Sequence, residues 1–208
     1  MPLTGITERR IMNVGNIGTA YYTWTNRANN AKSQGNNSFK NTIENQGASK
    51  NMVLHGLMGE KDEEGRTVVG AWGNAITDTS ATVYKPADFD ENDPVYLVKV
   101  WDAEGNVTEK EVHLNEVDPA SSDSFEMYAY TCYLSKSGKC PNAMQNFMMS
   151  HAHYQGKEGF GARAYEDMFS QVNWFDVIKS LMDMQYRANN LNGYLKYKGF
   201  YDFLIDEK

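Results

Sequence analysis

At Asp118-Pro119 the hydrophobic period of the chain changes, and that change narrows the fold to one class. Before it lie short β-branched and aromatic runs separated by turn residues, the pattern of strands. After it, apolar residues recur three and four apart, the spacing of one helix face. Strands first and helices second, rather than in alternation, predict an α+β fold. The expectation is a small antiparallel β-sheet of about five strands over residues 51–118, followed by a helical C-terminal half over 119–208, the two forming a single domain.

The five predicted strands are Met52 to Met58, Arg66 to Trp72, Ala81 to Lys85, Val95 to Trp101 and Val107 to Leu114. The last two read as a hairpin, because the loop Asp102-Ala103-Glu104-Gly105-Asn106 places a Gly where positive φ is needed. Val112 and Leu114 point one way and Glu109, Glu111 and His113 the other, with Lys110 breaking the alternation. One face of the sheet is therefore expected to meet solvent.

In the second half, Asp123-Ser124-Phe125-Glu126 has the form of a capping box. Behind it Phe125, Tyr128, Ala129 and Cys132 form an apolar stripe. Gly138 and Pro141 close that helix and open a second, striped by Met144, Phe147, Met148 and His151. Asn173 is placed to cap a third, with Trp174, Val177, Ile178, Leu181 and Ala188 on one side. Leu191 to Ile205 carries Tyr194, Leu195, Phe200, Phe203 and Leu204, with interruptions expected at Gly193 and Gly199.

Residues 1–50 are rich in Asn, Gly, Thr, Ser and Ala and hold no sustained period, which predicts a flexible arm. Its exception is the aromatic cluster Tyr21, Tyr22 and Trp24, a candidate for docking on the body or for binding a partner.

Charge excludes one class of partner. The formal net charge is −7, and residues 51–122 hold 15 acidic side chains against 5 basic ones. Such a body repels phosphate backbones, so no nucleic-acid binding is expected. No apolar run approaches the ~18 residues that span a bilayer, so no membrane insertion is expected either. Two cysteines and no Sec-type leader point to the cytoplasm, with export by another route as the alternative.

The candidate chemistry is thin. Asp88-Phe89-Asp90-Glu91-Asn92-Asp93 spaces oxygen ligands as a calcium loop does, but Asp93 stands where Gly is required and Lys99 where a bidentate Glu belongs. Cys132, Cys140, His151 and His153 are spaced wrongly for a shared zinc ion, and His151 reads as a hydrogen-bonded core histidine. Gly156, Gly159 and Gly161 with Arg163 match neither a phosphate loop nor a dinucleotide fingerprint. Glu109, Glu111 and Glu116 read as solvated charges. No catalytic residue, metal site or cofactor is predicted. Trp72, Tyr84, Tyr96 and Trp101, from neighbouring strands, would form a sugar-stacking platform if they shared the open face.

The stretches Ala81 to Asp90, Pro94 to Asp102, Glu126 to Tyr130 and Met182 to Tyr186 resemble a family of uncharacterised proteins, a domain of unknown function, from anaerobic gut bacteria. The resemblance covers residues 52–205 and leaves the arm outside. It implies a single bacterial body domain with no assigned activity and therefore no functional residues to transfer.

Taken together, the sequence predicts a non-catalytic accessory protein whose partner is another protein. The alternative is a glycan-binding module using the sheet aromatics, and the third reading is a hydrolase of unrecognised type.

Overall fold

Among the described residues strands precede helices, as the change of period requires. The computed structural model describes residues 55–156 and 164–207, all within one compact unit, Gln46–Lys208. Strands β1 (Thr67–Asn74), β2 (Thr79–Lys85), β3 (Val95–Trp101) and β4 (Val107–His113) form an antiparallel sheet in the order β1-β2-β3-β4. Helices α1 (Ser124–Lys136), α2 (Ala143–Gly156), α3 (Trp174–Arg187) and α4 (Leu191–Asp206) follow, with a short 3-10 turn at Glu166–Phe169 before α3. The fold class is α+β, but among the described residues the sheet has four strands rather than five. In the described part of the expected first strand Gly56 adopts a φ of 88°, and Gly59, just beyond it, a φ of 83°; positive φ at both breaks an extended run. The predicted arm, with Tyr21, Tyr22 and Trp24, lies outside the described residues, as do Gly159, Gly161 and Arg163, whereas Gly156 ends α2.

The hairpin has the expected register, Val95 opposite His113 and Trp101 opposite Val107. Asp102 organises its loop by accepting from the backbone N–H of Glu104 at 3.0 Å and of Asn106 at 2.8 Å, while Gly105 takes φ 85°. Alternation along β3 puts Tyr96, Val98 and Val100 on one face, and cross-strand register adds Trp72, Ala81, Val83 and Val112 to it. Helix α1 covers this face and touches all four strands. Gly70 lets it come close: a Cβ there would stand 2.6 Å from Cys132 Sγ and 3.1 Å from Tyr128 Oη.

Lys110, the break in alternation on β4, faces the helices because α1 supplies its partners. Its ammonium is bound by Asp123, a carboxylate 2% exposed, and by Glu126 at 2.8 Å. The same two residues form the capping box of α1, in which Asp123 accepts from the N–H of Phe125 and Glu126 and the Glu126 side chain accepts from the Asp123 N–H. One cluster thus fixes the start of the helix and its position on the sheet.

The helices stack outward: α2 on α1, α3 on α2, and α4 on α3 and α2. Trp174, fully buried at the start of α3, donates its indole N–H to the Ser122 carbonyl at 3.0 Å. Asn173 caps α3 through the N–H of Asp176, as its position predicts. Ala188, expected on the apolar side of that helix, is instead its exposed C-cap. No helix among the described residues is long and apolar enough to cross a membrane.

Candidate functional site

The sheet register divides the four aromatic residues expected to form one platform. Trp72 and Tyr96 lie under the helices, buried in the core, where Trp72 packs on Phe125 and Tyr128 and Tyr96 on Phe89 and Tyr133. Tyr84 and Trp101 lie on the opposite face. Tyr84 is buried there beneath the Arg66 guanidinium, and Trp101 is half-buried in a stack with His55, with ring centroids 3.8 Å apart. The His55 carbonyl also accepts from the Thr82 hydroxyl at 2.5 Å, which lays the chain before β1 over part of that face. A flat four-ring surface does not form, since strand alternation sends two of the rings each way.

The metal-ligating types of the described residues do not gather into one site. Cys132 is enclosed between sheet and α1, and burial pushes its thiol up to about 12. His151 is buried among aromatic rings, the core position expected from the stripe, but its Nε2 has no hydrogen-bond partner among the described residues. His153 Nε2 lies 2.9 Å from Ser180 Oγ. The acidic residues of the 88–93 loop are exposed, while Phe89 turns inward against Tyr96. No group of three or more His, Cys, Asp or Glu among the described residues is arranged to hold a metal ion. Of the strand carboxylates, Glu109 pairs with Lys99 at 2.7 Å, and that ammonium holds it below the usual carboxylate range.

The surface that stands out belongs to α4. Asn189, at φ 54°, turns the chain between α3 and α4, and Asn190 caps α4 by accepting from the Gly193 N–H at 3.1 Å. Toward the body α4 buries Tyr197, Phe200 and Leu204. The opposite face carries Leu191, Leu195, Lys198, Asp202 and Ile205 at successive steps of four, three, four and three, which keeps all five in one line. Leu191 is 65% exposed, Leu195 53% and Ile205 47%. Lys198 and Asp202 pair between them, and the neighbouring carboxylate raises the Lys198 ammonium above its ordinary value. At the tip of the helical hairpin Tyr186, also exposed, lies 6.2 Å from the ring of Tyr194.

No family model, curated protein or solved structure matches the chain.

Each sheet edge carries a feature that opposes strand addition over part of its length. The β4 edge carries Glu109, Lys110 and Glu111 in succession, which opposes pairing with another strand. Along β1, Val68 is already bonded on both its backbone groups, to Gly59 N–H at 2.8 Å and to the Glu60 carbonyl at 2.9 Å, beside a register shift between Val68 and Gly70.

The sequence contained the α4 stripe without displaying it. The stronger aromatic spacing of the inner face hides a second apolar line on the same helix. Gly193 and Gly199, expected to interrupt this segment, lie inside one continuous helix.

Proposed function

We propose that this protein is a non-catalytic interaction protein that binds another protein through the outer face of α4. The observation that carries the reading is the position of Leu191, Leu195 and Ile205: all three are exposed, and they lie in one line opposite the helix's own core-facing side. A single exposed Leu is ordinary on a protein surface. Three on the solvent side of one helix depart from the usual amphipathic pattern and give an apolar face of the kind that another protein covers. The charges along β4 and the backbone bonds already made at Val68, near the start of β1, favour a helix-face contact over strand addition. Glycan binding has less support, because two of its four rings, Trp72 and Tyr96, are enclosed by the core.

Leu195→Asp tests the reading, since a residue used for binding and not for folding separates the two effects. Denaturation should show a stability change within ~0.5 kcal/mol, the range for an exposed site. Protein retained by an immobilised wild-type chain should be lost with the variant as bait. Equal retention by both chains, or unfolding of the variant, would count against the proposal.

A further inference from the structure

From Leu195 to Ile205 the outer face of α4 is self-complementary. Resting on the reading of that face as an interaction surface, we infer that its occupant is a second copy of this chain, bound antiparallel about a two-fold axis at the level of residue 200. In that register Leu195 of one copy faces Ile205 of the other, and Lys198 faces Asp202. Each pair then occurs twice, as a two-fold contact requires. The spacing is what makes this possible: Leu195 and Ile205 lie equally far from residue 200, and so do Lys198 and Asp202. Each copy thus offers an apolar side chain to an apolar one and an ammonium to a carboxylate. The Lys198–Asp202 pair formed within one helix places both groups together on this face.

Two further features fit the same occupant. Gly199 borders the stripe at mid-helix, where an added Cβ would meet nothing within 4 Å, so the backbone is open to close approach by another helix. An exposed helical Gly costs about 1 kcal/mol relative to Ala, and nothing within the described chain uses the space it leaves. The stripe itself balances one Lys against one Asp, so two copies of a chain with net charge −7 can meet there without gathering like charge. One helix pair buries less than the ~800 Å² per partner of a standard interface, so the dimer should be weak, dissociating in the micromolar range.

Sedimentation velocity on the full chain, from roughly 5 to 500 µM, tests the pairing across the concentrations where such a dimer forms and dissociates. Wild type should shift from monomer to dimer as concentration rises, and Leu195→Asp should remain a monomer. Lys198→Asp alone and Asp202→Lys alone should each be monomeric, because each homodimer would oppose like charges at both positions. An equimolar mixture of the two should recover dimer, since the heterodimer restores an opposite pair at both positions. Mixing leaves the contacts within each helix unchanged, so recovery reports only the contact between copies. Circular dichroism of each variant checks that the fold persists. A wild type that stays monomeric throughout, or a mixture that stays monomeric while wild type dimerises, would overturn the inference. A monomeric wild type whose α4 face retains a different protein would reject self-pairing and leave the interaction reading standing; loss of both would reject the two together.

Discussion

His151 meets the indole of Trp72 edge-on, with ring centroids 4.5 Å apart and the planes at 82°. Phe147, Tyr154 and Trp174 complete a shell of rings around the imidazole. None of these rings offers a charge to an imidazolium, and burial lowers the His151 pKa to about 3.

A pH dependence follows from that shell. The folded pKa is depressed below the unfolded value near 6.5, so the unfolded chain binds the extra proton more readily. The contribution of neutral His151 to stability is therefore complete above pH ~6.5 and is lost as pH falls from there toward 3. Within that window the loss approaches about 1.4 kcal/mol per pH unit. Carboxylates such as Glu109 and Glu126 add their own acid loss, so the comparison is with His151→Phe, which keeps an aromatic ring and removes the titration. Denaturant midpoints at pH 7.5 and 4.5 should fall further for wild type than for the variant. Equal falls would mean that His151 is not held neutral by its surroundings.

Trp174 anchors the helical half. It is fully buried against Phe147, with ring centroids 4.9 Å apart, and its N–H is engaged by Ser122. Truncating a buried Trp costs about 3 to 5 kcal/mol. Trp174→Ala should therefore lower the denaturation midpoint sharply or abolish folding, while Lys179→Ala, on the exposed side of α3, should move stability by no more than ~0.5 kcal/mol. Equal effects in chemical denaturation would contradict the placement of α3.

Lys110 joins sheet to helix through two carboxylates, one of them enclosed. Lys110→Met keeps much of the apolar stem and leaves Asp123 without its ammonium. An enclosed polar group stripped of a partner costs about 1 to 3 kcal/mol, and a loss of that size is expected in equilibrium unfolding. Adding Asp123→Asn should recover part of it, because Asn still caps the helix without a buried charge. A second substitution that only worsened the first would show that the ion cluster is not what positions α1.

How much of this was legible in the sequence depends on where the decisive contacts lie. The hairpin, the Asp123 box and the Asn173 cap are local, set by residues within a few positions of one another, and they stand where the sequence places them. Composition suggested a strand over 52–58, whereas the positive φ of Gly56, followed by that of Gly59 just beyond, decides against one in its described part. The division of Trp72 and Tyr96 from Tyr84 and Trp101 needs cross-strand register, which includes the shift between Val68 and Gly70 and cannot be read from one strand alone. Lys110 looked like an error in alternation until its partners on α1 were brought to it by tertiary packing. The α4 face was hidden for a different reason: two stripes on one helix obscure each other, and only burial distinguishes the inner from the outer.

Photo-crosslinking from position 195 tests most directly whether the outer face of α4 is an interaction surface. Leu195 is replaced by a benzophenone amino acid in the full chain, with the same replacement at Lys179 as control, and covalent adducts are resolved by mass after irradiation in the cells that express it. A discrete adduct to a protein chain from position 195, a second copy included, and none from position 179 is the result expected of a surface that another protein covers. No adduct from position 195, or the same unselective adducts from both positions, would contradict it.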